Sequence, residues 1–166
     1  MAPDKFALLG CVVLLITSTG CPGSATGGVA VRPEDSPGPQ ECPEDTRKVM
    51  SYLHLFVGES AWAQLDANQT RAHPITLYDG PIESVLEEDM GLLEAPARLH
   101  GRVWASGPQA VIRYHAAQPM KGGDQIPICA VARLGFGLHR KRPESKPGTA
   151  ILDSPLAGAY IVDEFR

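Results

Sequence analysis

The sequence predicts an α+β domain, mostly antiparallel β, built as a small barrel or sandwich-like meander with one packed N-terminal helix. Three observations carry this prediction. From His73 onward, short runs alternate apolar and polar residues, the period of a strand with one face buried. These runs are separated by Gly and Pro turns such as Asp79-Gly80-Pro81, Ser106-Gly107-Pro108 and Met120-Lys121-Gly122-Gly123-Asp124, which suits hairpins between sequence neighbours. Ahead of them lies one segment with helical spacing, and a lone helix against several short strands reads as a brace on a small β-structure.

The helix is expected within residues 42–58. Pro43 suits a first helical position, Glu44 and Asp45 complement the positive end of the helix dipole, and Gly58 is a natural stop. Val49, Met50, Leu53, Phe56 and Val57 fall at spacings of three and four and form one apolar stripe. Ala61-Trp62 with Leu65 reads equally as a helical turn or a strand. Strands are expected at 75–78, 82–87, 98–104, 110–115, 126–134, 150–152 and 160–162. Within 98–104, Leu99, Gly101 and Val103 oppose Arg98, His100, Arg102 and Trp104, and Val111 and Arg113 oppose Ile112 and Tyr114. Pro127 signals an edge or a bulge. Residues 135–148 read as a polar loop.

Residues 1–20 read as an export signal. A polar head with Lys5 precedes eleven uncharged apolar residues, 6–16. A membrane-spanning helix needs about 20 apolar residues, whereas the apolar region of a signal peptide has about 7 to 15. Thr17-Ser18-Thr19-Gly20-Cys21 then resembles a bacterial lipobox, in which cleavage precedes the cysteine and its thiol is acylated. Ser18 stands where an aliphatic residue is usual, so ordinary cleavage to a soluble secreted form is the alternative. Residues 21–40, rich in Pro and Gly, read as a flexible tether, and 41–166 as a single globular domain.

Charge and cysteine content narrow the function classes. The chain has 166 residues and a net charge of −4, and removal of the signal takes away one lysine and one aspartate. A mildly acidic chain lacks the concentrated basic face that nucleic acid requires. Two of the four cysteines, Cys42 and Cys129, remain in the domain. In an oxidising exported compartment they form a disulfide candidate; the alternative is that Cys129, in the apolar run 126–132, is a buried thiol.

Gly80-Pro81-Ile82-Glu83, Leu99-His100-Gly101-Arg102-Val103, Val111-Ile112-Arg113-Tyr114 and Pro127-Ile128-Cys129-Ala130-Val131 resemble strand motifs of a group of small exported or lipid-anchored myxobacterial proteins. The group has no settled activity, and some members carry an inherited label of serine/threonine protein kinase. The motifs here do not support that label. A kinase needs a Gly-rich phosphate loop, a strand lysine, a catalytic-loop Asp with its Asn, and Asp-Phe-Gly. Gly135-Phe136-Gly137 is a fragment of the first, His139-Arg140-Lys141 lacks the aspartate, and Asp-Phe-Gly is absent.

The remaining candidates are few. His100 and His115 could face each other across a hairpin, either as a cross-strand polar pair or as the site of a small envelope enzyme. Glu83, Glu87, Glu88 and Asp89 form an acidic cluster that reads as a solvated face or a cation site. Arg140, Lys141 and Arg142 form a basic stretch on an acidic chain, either solubilising or in contact with a partner protein or anionic headgroups. No histidine or cysteine spacing fits a zinc site, Gly-x-Ser-x-Gly is absent, and no cofactor or catalytic residue is expected. The sequence therefore points to an exported cell-envelope lipoprotein, in the periplasm or at the outer membrane and tethered by lipid on Cys21, with a binding or structural role.

Overall fold

The chain closes six strands into a small antiparallel barrel. The computed structural model describes residues 30–33, 36–69, 72–135 and 137–166, so residues 1–20, expected from the sequence to be an export signal, and Cys21 lie outside the described residues. In chain order the elements are β1 (Gln40–Glu41), α1 (Glu44–Tyr52), β2 (Ser60–Gln64), β3 (Ile75–Tyr78), β4 (Gly80–Leu86), β5 (Ala97–Trp104), β6 (Gln109–Pro119), β7 (Ile126–Arg133), β8 (His139–Arg140), β9 (Thr149–Leu152), β10 (Leu156–Ile161) and β11 (Glu164–Phe165). The barrel runs β5-β4-β2-β10-β7-β6, and pairing of β5 with β6 closes it. Strands β4 to β7 form the expected meander, while β3–β9 and β1–β11 are separate two-stranded ladders.

A six-stranded barrel is narrower than the eight-stranded kind whose interior is just wide enough for side chains to fill, and the inward positions are correspondingly small. Ala61, Ala63, Ser84, Gly101, Ala130, Ala132, Ala157 and Ala159 are all buried. They surround Tyr114, the largest of the fully buried side chains among the described residues, which is buried with Leu86, Leu99 and Ile112. Ser84 Oγ donates to the Leu65 carbonyl at 2.6 Å. Its single proton is thereby used, so Tyr114 Oη donates to Ser84 Oγ at 2.8 Å. Burial pushes the phenol's pKa up, and the bond to Ser84 opposes that shift. Gly101 makes room for the ring: a Cβ there would run into the Arg113 carbonyl oxygen and lie 2.8 Å from Tyr114 Cδ1.

The alternation expected at 98–104 and 111–114 is the barrel's inside-outside alternation, and it is interrupted once. His100 pairs with Ala116 and Gly101 with Tyr114, which leaves His115 as the extra residue of a bulge. Pro127 lies beside a second register shift, between β6 and β7, as a proline in a paired strand requires. The ambiguous segment at Ala61-Trp62 is a strand, because its outward residue Trp62 alternates with buried alanines.

The helix is shorter than its apolar stripe suggested. It ends at Tyr52, and His54 takes a left-handed φ of 56°. Past that turn the helical period no longer applies, so Phe56 and Val57 are 60% and 61% exposed while Leu55 is buried. Met50 packs against β7, where its sulfur accepts the Cys129 amide at 3.2 Å. Cys42 and Cys129 form a disulfide with a Cα–Cα distance of 6.0 Å, which joins the start of the helix to the same strand.

Packing also begins earlier than residue 41. Pro37 and Gly38 are buried, and the Gly38 amide donates to the Ala30 carbonyl at 2.6 Å. This strap lies over Arg113, on the outer face of β6. Arg113 is only 4% exposed, donates through Nη2 to the Gly38 carbonyl at 2.8 Å, and stacks on the rings of Trp104 and Phe165. Burial, then the nearby Arg32, lowers its pKa to about 10. Arg102 lies directly opposite Arg113 in register and covers the same Trp104 ring.

Two outcomes follow for stability. Ser84→Ala leaves a buried phenol donor and the Leu65 carbonyl unpaired and should cost about 1–3 kcal/mol, whereas Tyr114→Phe removes a donor whose partner stays bonded and should cost less; urea denaturation of both variants checks the order. Reducing the disulfide, whose cysteines are 87 residues apart, should lower stability by about 4–5 kcal/mol on the chain-entropy account, read from urea curves with and without reductant.

Candidate functional site

The basic stretch does not stand free of the fold. Lys141 Nζ donates to the carbonyl oxygens of Ala105 and Gly107, and Arg142 Nε pairs with Asp153 at 2.6 Å. Both cations therefore pin residues 141–142 to neighbouring loops. Arg140 remains exposed, on the two-residue strand β8 paired with β6. Its neighbour His139 points the other way and is 3% exposed.

Burial alone pushes the His139 imidazole pKa down to about 4, so the ring is neutral at neutral pH. Among the described residues its Nε2 has no hydrogen-bond partner, an arrangement that ordinarily costs free energy in a buried polar atom. Beside it lies a cavity of about 370 Å³, between the turn after β7 and the turn before β10. Leu134, Leu138 and Leu152 supply an apolar lining, and His139, Arg140, Asp153 and Ser154 supply the polar one. Volume and lining are in the range of small-molecule sites, which are mostly apolar with a few placed polar groups. Leu134 is 51% exposed at the rim. It is held there by a tight turn in which Leu134 and Gly137 exchange backbone hydrogen bonds and Gly135 has a left-handed φ of 62°.

The other candidates land elsewhere. His100 and His115 lie on the adjacent strands β5 and β6, as the hairpin reading expects. His100 Nε2 is 3.3 Å from Gln118 Oε1, while the His115 pKa is lowered by partial burial and then by the neighbouring His100. The acidic cluster is dispersed among separate partners. Glu83 pairs with Arg98, Glu87 with Gln64 at 2.8 Å, Glu88 accepts the Trp62 amide, and Asp89 accepts the Ala95 amide at 2.7 Å. Among the described residues, no three His, Cys, Asp or Glu side chains converge in a metal-binding group, and no helix is long and apolar enough to cross a membrane.

Sequence reasoning did not single out His139 or Arg113 as buried. An arginine inside the apolar run Val111-Ile112-Arg113-Tyr114 was the available signal for the second. For His139 the signal was the charged flank, Arg140 to Arg142, which drew attention to the loop without revealing the short strand that turns one side chain inward.

His139 carries a pH signature. In the unfolded chain its pKa is near 6.5 and in the fold about 4, so between these values the unfolded state binds more protons and stability falls as pH drops. The loss attributable to this group should approach about 2–4 kcal/mol by pH 4, and should be absent from the difference between pH 7 and pH 4 unfolding curves of His139→Gln.

Compared with known proteins, the chain matches no family model, no curated protein and no solved structure.

Proposed function

We propose that the protein is an exported cell-envelope lipoprotein, anchored through acyl chains on Cys21, that works as a binding module at the membrane surface. The observation that carries the binding part is the filled barrel. Tyr114 occupies the axis and bonds to Ser84, small residues pack around it, and the hollow with convergent polar groups lies outside the barrel, at His139 and Arg140. Recognition in this reading belongs to the outer surface. The Cys42–Cys129 disulfide suits an oxidising compartment. The segments that resemble motifs of small lipid-anchored myxobacterial proteins lie on strands β4 to β7, which are consecutive neighbours in the sheet.

Stable attachment takes more than one acyl chain, each buried CH₂ contributing about 0.8 kcal/mol, so a fully processed Cys21 would hold the domain on a bilayer. The strap then supplies the transition from linker to barrel. Mass spectrometry of the mature chain from a Gram-negative host tests this. The expected N-terminal peptide begins at Cys21 and carries the mass of its acyl groups. An unmodified N-terminus at another residue would overturn the anchor.

A further inference from the structure

We infer that the cavity beside His139 and Arg140 is a binding site for a small carboxylate with an apolar tail, a proposal that builds on the binding-module reading and gives it a ligand class. Four observations converge. The cavity, about 370 Å³, is sized for a small molecule and not for a folded partner. Its apolar lining comes from Leu138 and Leu152 with Leu134 at the rim, and Leu134 is left half-exposed, as an apolar side chain waiting for a cover would be. The cation that lines it, Arg140, has no ion pair among the described residues, whereas Arg142 two residues on is paired with Asp153. The buried His139 ring adds an Nε2 with no hydrogen-bond partner among the described residues.

These groups sort the ligand. A guanidinium presents a planar fork of donors that matches a carboxylate and forms charge-assisted bonds to it. Three leucines favour an alkyl or similarly apolar tail. Asp153 also lines the cavity, and its carboxylate would oppose an anion, but its pairing with Arg142 at 2.6 Å offsets that charge locally. The neutral imidazole can donate from one ring nitrogen or accept at it without adding charge. Ser154 Oγ is engaged with the Leu156 backbone, so it borders the site without being free to recognise the ligand. An acid with no tail would leave the leucines uncovered, and an alcohol with the same tail would leave Arg140 without its anion.

The test is an NMR titration of the mature chain, following the His139 ring and the methyl groups of Leu138 and Leu152. The probes are sodium octanoate, sodium acetate and 1-octanol. The expected result is saturable shifts at these three residues with octanoate, at least tenfold tighter than with acetate or 1-octanol. Arg140→Gln, at an exposed position, should leave the melting temperature unchanged and weaken octanoate at least tenfold while leaving 1-octanol unaffected. The proposal is overturned if octanoate leaves the His139 ring unshifted, if Arg140→Gln binds it as tightly as the parent chain, or if 1-octanol binds equally well. The acylation of Cys21 is read independently, so a failed titration with an acylated N-terminus removes the ligand and leaves the anchor. Saturable octanoate binding with an unmodified N-terminus does the reverse.

Discussion

A phenol at the axis of a narrow barrel is the constraint from which most of this structure follows. Tyr114 needs both space and a hydrogen-bond partner in a lumen only six strands wide. Ser84 supplies the partner and passes the chain of bonds on to the Leu65 carbonyl. The space comes from alanines on β2, β7 and β10 and from Gly101 on β5. A ring in such a lumen is tolerated only because its neighbours are small, and the alanines are tolerated only because the ring replaces the volume they lack. The bulge at His115 sits next to this arrangement and lets β6 pass Gly101 while still closing the sheet.

The outer face is organised around a different problem, a buried cation. Arg113 alternates with Ile112 and Tyr114, so the strand that presents the phenol inward must present the guanidinium outward. Two aromatic rings and the strap carbonyls cover it, and its Nε and Nη1 atoms have no hydrogen-bond partners among the described residues. Stacking against π-faces is the compensation available to a guanidinium with no carboxylate partner among the described residues. The strap therefore has a specific reason to lie where it does: its backbone oxygens are the hydrogen-bond acceptors that the cation has found.

Much of the architecture was legible in the sequence because a one-sided strand writes its face into every second residue. Leu99, Gly101 and Val103 against Arg98, His100 and Arg102 is such a record, and the meander from β4 to β7 follows from short turns between consecutive strands. The choice of closed barrel over sandwich was not legible, since it depends on β10 inserting between β2 and β7, a long-range pairing with no local mark. The helix was overextended because a left-handed residue at His54 is not announced by its side chain, and Phe56 and Val57 continue the spacing by coincidence. The candidate site was half legible. Arg140 stood out by charge, but the cavity beside it depends on Leu134, His139, Leu152 and Ser154, which meet only after β8 and β9 have found their partners.

The disulfide also decides how the molecule answers a pull. A load applied through the strap would first act on weak contacts, the two-residue ladder of β1 with β11 and the bonds to Arg113. These lie in series along the strap, so a pull from that end meets them one after another. At Cys42 the chain becomes covalently continuous with β7 through Cys129, so the pull bypasses the helix and enters a central barrel strand flanked on both sides by hydrogen-bonded neighbours. Such a strand must be sheared from both neighbours together. The molecule thus combines a lead that peels with a body that resists.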